Sequence, residues 1–224
     1  MTYTLAGIAF TIAALDWLAV WKRWKRLRYF AKPGVMLALL AWLLSAGGLQ
    51  GQLLWFALGL VFSLAGDVFL MLPEDRFLYG LVAFLFADLS YIAGFNTSLP
   101  PFNLASLALA VLIAITGAQI YRGLAPALDR RGLERLKGPV LTYVVIHGTM
   151  LFSALLTLVR PDDEWLPSAA LLASAGALLF FSSDVLLAWN RFVGELSLGD
   201  LKVMVTYHLG QVAITAGALL NFLR

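Results

Sequence analysis

Six ionisable side chains stand inside stretches that are otherwise apolar: Asp16, Asp67, Asp88, Asp184, His147 and His208. On insertion scales such a group costs about 2.5–3.5 kcal/mol in a membrane-spanning helix, so each is a candidate for function. Asp67 and Asp184 share a local pattern. Ser63 lies one turn before the first, Ser182 and Ser183 lie directly before the second, and a short apolar stretch follows each. Two carboxyl groups brought face to face can divide acid–base work, one holding a proton while the other stays ionised. The competing reading is packing: two aspartates held by serine, tyrosine or Lys32 across a helix interface.

Other polar side chains fall at helical spacing around them. Asp88 and Tyr91 are three apart and share a face, as a proton-sharing pair or as a satisfied core contact. Tyr143, His147 and Met150 share another face, and so do Tyr207 and Gln211, with His208 about 100° round from Tyr207. These groups are read as cavity lining, with interhelical hydrogen bonding as the alternative. Asp16 lies near a run end, where Lys22 or Lys32 could pair with it. No metal is expected, because no ligand spacing such as His-x-x-x-His occurs.

The elements that must position these residues follow from composition. The 224 residues are 61% hydrophobic and only 13% charged, against about 25% charged in an average soluble domain. Apolar runs near twenty residues long fit membrane-crossing helices and not the alternating strands of a barrel. Eight runs are found, at about Thr2–Trp21, Lys32–Gly48, Gln52–Leu72, Phe77–Phe95, Phe102–Tyr121, Gly138–Val159, Pro167–Trp189 and Gly199–Phe222. The second is short and could begin within Leu27–Ala31. All eight prolines (33, 73, 100, 101, 126, 139, 161, 167) are placed at run ends or in connections. The expected fold class is therefore all-α, a polytopic membrane protein of eight transmembrane helices in one integral-membrane domain, with no room for a soluble one.

Charge gives the orientation. Fourteen of the sixteen Lys and Arg fall in the connections after helices 1, 3, 5 and 7, leaving Arg160 and Arg224 on the other side. The basic side faces the cytoplasm by the positive-inside rule, which puts both termini outside. The net charge of +3 is thus a topology signal, and no nucleic acid partner is expected. Lys22 and Arg23 follow the first apolar run instead of preceding it, so that run is not read as a signal peptide. Asp16, Asp67 and Asp184 lie about five residues from the basic end and the other three ionisables somewhat deeper. The outer half is expected to hold no buried charge, and a polar cavity open to the cytoplasm is the consequence. Trp17, Trp21, Trp24, Trp165 and Trp189 near run ends read as interfacial anchors. The stretch Leu124–Leu136 reads as a short interfacial helix or a solvated loop. A weak repeat pairs Gly66-Asp67-Val68 with Ser183-Asp184-Val185 and Tyr91 with Tyr207, suggesting parallel halves 1–101 and 102–224.

Several chemistries lack their minimum equipment. There is no cysteine for thiolate catalysis, disulfides or a thiolate metal site, and no Gly-x-Ser-x-Gly elbow, His-Glu-x-x-His or phosphate-cradling glycine loop. No cofactor is expected.

Taken in order, Lys32-Pro33, the segment Ser63 to Leu72 around Gly66-Asp67, Phe77-x-x-Gly80-Leu81 with Phe84, Tyr143 and Met150 form one pattern. It continues with Gly176 to Phe180, Ser183-Asp184, Leu187-Ala188, and Tyr207 with Gln211. This pattern resembles the YhhN-like membrane proteins that include the animal lysoplasmalogenases, over about Lys32 to Gln211. One position departs: Ala87-Asp88 stands where the family pattern has Ala-His, which bears on any role needing an imidazole there.

The resemblance implies hydrolysis of the vinyl-ether bond of a lysoplasmalogen to a fatty aldehyde and a glycerophospho-amino-alcohol. Its partners would be a lysophospholipid, water and membrane lipids. Such chemistry needs a carboxylic acid to protonate carbon and a carboxylate to steady the resulting cation and activate water, as glycosidases do with two carboxyls. Asp67 and Asp184 are the expected pair. Lys32 is expected to meet the phosphate at the rim, with Asp88, Tyr91, Tyr143, His147, Tyr207, His208 and Gln211 around the substrate. The alternative from another class is a proton-coupled transporter of small molecules or lipids, which buried ionisables and a parallel repeat would also suit. In a bacterium the membrane would be the inner one.

Overall fold

A computed structural model describes residues 2–47, 49–72, 76–101, 103–160 and 164–223. Among these there is no strand, and eight helices are long and apolar enough to cross a membrane. They are α1 (Thr2–Trp21), α2 (Lys25–Ser45), α3 (Leu53–Met71), α4 (Phe77–Phe95), α5 (Leu104–Arg130), α6 (Lys137–Leu156), α7 (Pro167–Ala188) and α8 (Gly199–Phe222). The protein is an integral membrane protein of the all-α class. Chain neighbours pack as hairpins, α1 with α2, α3 with α4 and α7 with α8, while α8 also lies against α1, α2 and α3 and closes the bundle. Helix α5 buries only Ser106, Leu124, Ala127 and Leu128 and otherwise faces outward.

Two hydropathy boundaries move. Helix α2 starts at Lys25, seven residues ahead of the apolar run, and α5 continues past Tyr121 to Arg130. Hydropathy marks where a helix leaves hydrocarbon, and lysine and arginine are good helix formers that carry it onward into water. Pro33 and Pro126 therefore lie inside helices, whereas hydropathy places the first at a run end and the second in a connection. Pro73 and Pro161, like Arg224, lie outside the described residues. The stretch Leu124–Leu136 is the end of α5, a turn and a short 3-10 turn, with Leu124 and Leu128 packed beside Phe77, Val140 and Phe192; it is not a solvated loop.

The α7–α8 hairpin is the closest. A Cβ on Gly176 would stand 2.6 Å from the Ile214 nitrogen and 2.8 Å from the Gly210 oxygen, so the two backbones touch. Small residues at such a seam let helices approach where lipid gives no hydrophobic drive. That contact sets the depth of Asp184 and Tyr207, one on each helix.

The end away from the basic connections is not free of buried charge. Arg160 is 6% exposed and donates from Nη1 to Glu164 Oε2 at 2.8 Å and Ser98 Oγ at 2.6 Å, and from Nη2 to Asn96 Oδ1 at 3.0 Å. Asn221 of α8 donates to the Glu164 carbonyl at 2.9 Å, so this cluster ties two connections to the end of α8. Trp165 is buried against Phe95 and Phe222, a core residue and not an anchor, whereas Trp21 and Trp24 are exposed.

Candidate active site

Asp67 and Asp184 line one cavity of about 310 Å³ whose mouth is formed by Lys25, Arg28, Tyr29 and Asp200. Lys32, Phe84, Ser183 and Tyr207 complete its polar and aromatic wall. The mouth lies at the basic end of the bundle. There Arg28 Nη1 is 3.9 Å from Asp200 Oδ2, and the Arg28 Nε is buried without a hydrogen-bond partner.

Asp67 is fully buried on α3. Lys32 Nζ, from α2, is 3.0 Å from its Oδ1, and Tyr207 of α8 donates to its Oδ2 at 2.9 Å. Lys32 is only 3% exposed, so it is not a rim residue awaiting phosphate. The reason is the early start of α2: Lys32 stands two turns inside the helix, and the rim cations are Lys25 and Arg28. Behind Asp67, Gln211 Nε2 donates to Ser63 Oγ at 3.3 Å, and Tyr91 donates to Gln211 Oε1 at 2.6 Å. Tyr91 and Gln211 thus support the site from inside the core and do not line the cavity.

Asp184 has other company. Tyr143 of α6 donates to its Oδ2 in a short bond, Ser183 donates to its Oδ1 at 3.3 Å, and His147 Nε2 is 3.7 Å from Oδ2. On its other side His147 Nδ1 lies 2.9 Å from both oxygens of Asp88. The imidazole of this site is therefore supplied by α6 and held by Asp88 of α4. Asp88 pairs with His147 and not with Tyr91, although the two share a helix face.

A second, apolar cavity of about 60 Å³ meets the first at this carboxylate. Asp184, Leu70, Phe84 and Leu187 belong to both, while Tyr143 and His147 face only the second. Its remaining wall is apolar, including Phe77, Leu81 and Phe192.

Two candidates fall elsewhere. His208 turns toward α1, where its Nδ1 accepts from Trp17 Nε1 at 3.1 Å, and it lines neither cavity. The 100° step from Tyr207 accounts for this. Asp16 is fully buried, and neither oxygen has a hydrogen-bond partner, so the expected pairing with Lys22 or Lys32 is not made. Lys25, Arg28 and Asp200 at the mouth were not among the sequence candidates; charge in a connection carries no sign of which side chains face a cavity.

The arrangement, two carboxyls on one cavity beside an apolar slot, is joined by a match to the YhhN family over residues 27–218. The chain belongs to the YhhN family. Among its curated relatives is the protein named lysoplasmalogenase TMEM86B of Mus musculus, 34% identical over 190 residues, covering 85% of this chain and 74% of the relative. The Homo sapiens protein of the same name is 30% identical over 215 residues, covering 94% and 84%. Lysoplasmalogenase TMEM86A of Homo sapiens is 31% identical over 164 residues, covering 71% and 63%. No solved structure matches the chain. The YhhN match takes in both aspartates, Lys32, the Asp88–His147 pair, Tyr143 and Tyr207.

Proposed function

We propose that this YhhN protein is a membrane lysoplasmalogenase, a hydrolase that cleaves the vinyl-ether bond of a lysoplasmalogen to a fatty aldehyde and a glycerophospho-amino-alcohol. The observation that carries the reading is the meeting of two unlike cavities at Asp184, one polar and cation-rimmed, the other apolar. A lysolipid has the same division. Its phosphate would lie near Lys25 and Arg28, the first carbons of its chain at the apolar slot, and the vinyl ether between them. Relatives named for this activity support the same conclusion.

The two aspartates then take different roles. Lys32 balances the charge of Asp67, which suits it to act as the carboxylate. Asp184 is surrounded by hydroxyls and an imidazole, with no lysine or arginine in ion-pair contact among the described residues, which suits it to carry the acid proton. Asp184 protonates the vinyl carbon distal to oxygen, leaving an oxocarbenium ion. Water adds to that cation and yields a proton to Asp67. The hemiacetal so formed collapses when its hydroxyl proton moves to the glycerol oxygen, releasing aldehyde and alcohol. Tyr207 and Tyr143 orient the two carboxyls. With both termini outside, the head-group cavity would open to the cytoplasm, in a bacterium from the inner membrane.

Purified protein supplied with lysoplasmalogen in detergent is expected to release aldehyde, and Asp184→Asn is expected to stop it. Absence of aldehyde from the wild-type protein would sink the reading. Flux of lipid or protons across proteoliposomes without product would instead favour the transporter. Relatives named as hydrolases leave that alternative unfavoured.

A further inference from the structure

We infer that Asp88, His147 and Asp184 form a proton-holding relay, in which His147 acts through Asp184 and Asp88 fixes the tautomer of the imidazole. The inference rests on the hydrolase reading and assigns a positioning role that the two-carboxylate chemistry does not itself require.

The geometry is that of a line across three helices. Asp88 presents both oxygens to His147 Nδ1 at 2.9 Å; an ionised Asp88 can only accept, so opposite it Nδ1 carries the hydrogen. The ring is clamped: Tyr143 and Phe181 stack on its faces with centroids 5.2 Å away, and Phe180 meets it edge-on at 4.9 Å. It cannot turn to offer Nδ1 elsewhere. The opposite nitrogen, Nε2, is buried and makes no hydrogen bond of normal geometry; Asp184 Oδ2 stands 3.7 Å from it, and the Phe180 backbone is the other polar neighbour of the ring. A packing pair of aspartate and histidine would be complete with the Nδ1 bond alone. Leaving Nε2 unpaired in the core costs free energy, which a structural role gives no reason to bear.

A small rotation of the Asp184 carboxyl closes the gap to hydrogen-bond length, as catalytic contacts commonly tighten when substrate is bound. In the working step, the Nε2 proton passes to Asp184 Oδ2 while Asp184 passes its own proton to the vinyl carbon. Nδ1 keeps its bond to Asp88 throughout. The proton that water yields at Asp67 returns through the polar cavity to Asp184 and then to Nε2, so the protein ends each cycle unchanged. The titratable groups packed on the ring are Asp88 of α4, Asp184 of α7 and Tyr143 of its own helix; the other side chains sharing its cavity are apolar.

The test compares three full-length variants with the wild type, each checked for folding by size-exclusion and thermal melting in detergent. His147→Gln retains a partner for Asp88 but cannot hold a proton. It is expected to lose about 100-fold in kcat with little change in KM, and to lose one limb of the pH–rate profile. Asp88→Asn is expected to fall between this variant and the wild type. The swap Asp88→His with His147→Asp keeps a buried pair but turns a carboxylate toward Asp184. It is expected to fold and to remain as slow as His147→Gln. Full activity in the swap, or an unchanged kcat and pH profile in His147→Gln, overturns the relay while leaving the hydrolase reading intact. Lack of aldehyde from the wild type overturns both. A readout independent of turnover is 15N NMR of the two histidines, told apart by His147→Gln. His147 is expected to keep its Nδ1 proton at every pH while Nε2 gains and loses one, in a titration that moves in Asp184→Asn, and a neutral form protonated on Nε2 alone would overturn the relay.

Discussion

Asp67 and Asp184 sit at matching places in two hairpins, α3–α4 and α7–α8, and open on one cavity, yet their neighbours differ in kind. Asp67 faces a lysine and a tyrosine; Asp184 faces a tyrosine, a serine and an imidazole. The first set neutralises a negative charge, and the second can share a proton. In the proposed mechanism two identical side chains take separate roles from what α2, α6 and α8 bring to them, which is how environment sets carboxyl roles in general. The repeat suggested by the sequence does not extend to these contacts. Tyr207 reaches Asp67, while Tyr91, its counterpart in the first half, bonds Gln211 and leaves Asp184 to Tyr143.

The largest expected effects come from removing each charge. Asp184→Asn is expected to reduce aldehyde release by at least about 100-fold with a near-normal melting temperature, because it strands no lysine or arginine and His147 keeps Asp88. Asp67→Asn should lose comparable activity and, in addition, about 3–5 kcal/mol of stability, since it strands Lys32 at 3% exposure. Combining Asp67→Asn with Lys32→Met should restore the melting temperature and not the activity. Equal melting temperatures for Asp67→Asn and Asp184→Asn would break the distinction between the two sites. Next in size are the tyrosines. Tyr143→Phe and Tyr207→Phe each delete one donor to a carboxyl, and a loss of about tenfold in kcat is expected from each. A loss confined to Tyr207→Phe would remove Asp184 from the chemistry.

Much of this was legible in the sequence, and the failures have physical causes. Helices α1, α4 and α8 have the expected ends because apolar residues stop abruptly there. Helices α2 and α5 run on through basic residues that hydropathy excludes. The same error put Lys32 at the rim and left Lys25 and Arg28 unnoticed. Asp67 and Asp184 stood out because a carboxylate in an apolar run is costly. The Asp88–His147 contact did not, because it joins positions 59 residues apart and no local spacing encodes it. Arg160 was placed by its loop as a surface charge, whereas its partners Asn96, Ser98 and Glu164 come from two different connections.

The two hairpins also differ in how they tolerate added volume. A Cβ on Gly66 of α3 would meet the Phe84 ring at 2.6 Å, a side chain that can shift, whereas one on Gly176 of α7 would meet backbone of α8. Gly176→Ala is therefore expected to cost more, about 1–3 kcal/mol, and to lower activity by displacing Asp184 from Tyr143. Gly66→Ala is expected to be milder in melting temperature, since only a ring must move. Reversal of that order would show that Phe84 is the more rigid wall.

The smallest effect belongs to the far end, where charge is structural. Burial pushes the Glu164 carboxyl up, but hydrogen bonds from Ser98, Thr97 and Arg160 and the Arg160 charge together hold it below its ordinary value of 4.5. A carboxyl lowered on folding adds stability above that ordinary value, and the contribution is lost as pH falls through the folded value. Glu164 is partly exposed, so solvent screens the gain. Glu164→Gln should thus lower the melting temperature slightly at neutral pH, and the difference from wild type should vanish in acid. Aldehyde release at neutral pH should be unchanged, in contrast to every substitution around Asp67 and Asp184. A change in kcat in Glu164→Gln would mean that the two ends of the bundle are coupled, and that the distinction between a chemical end and a structural end is false.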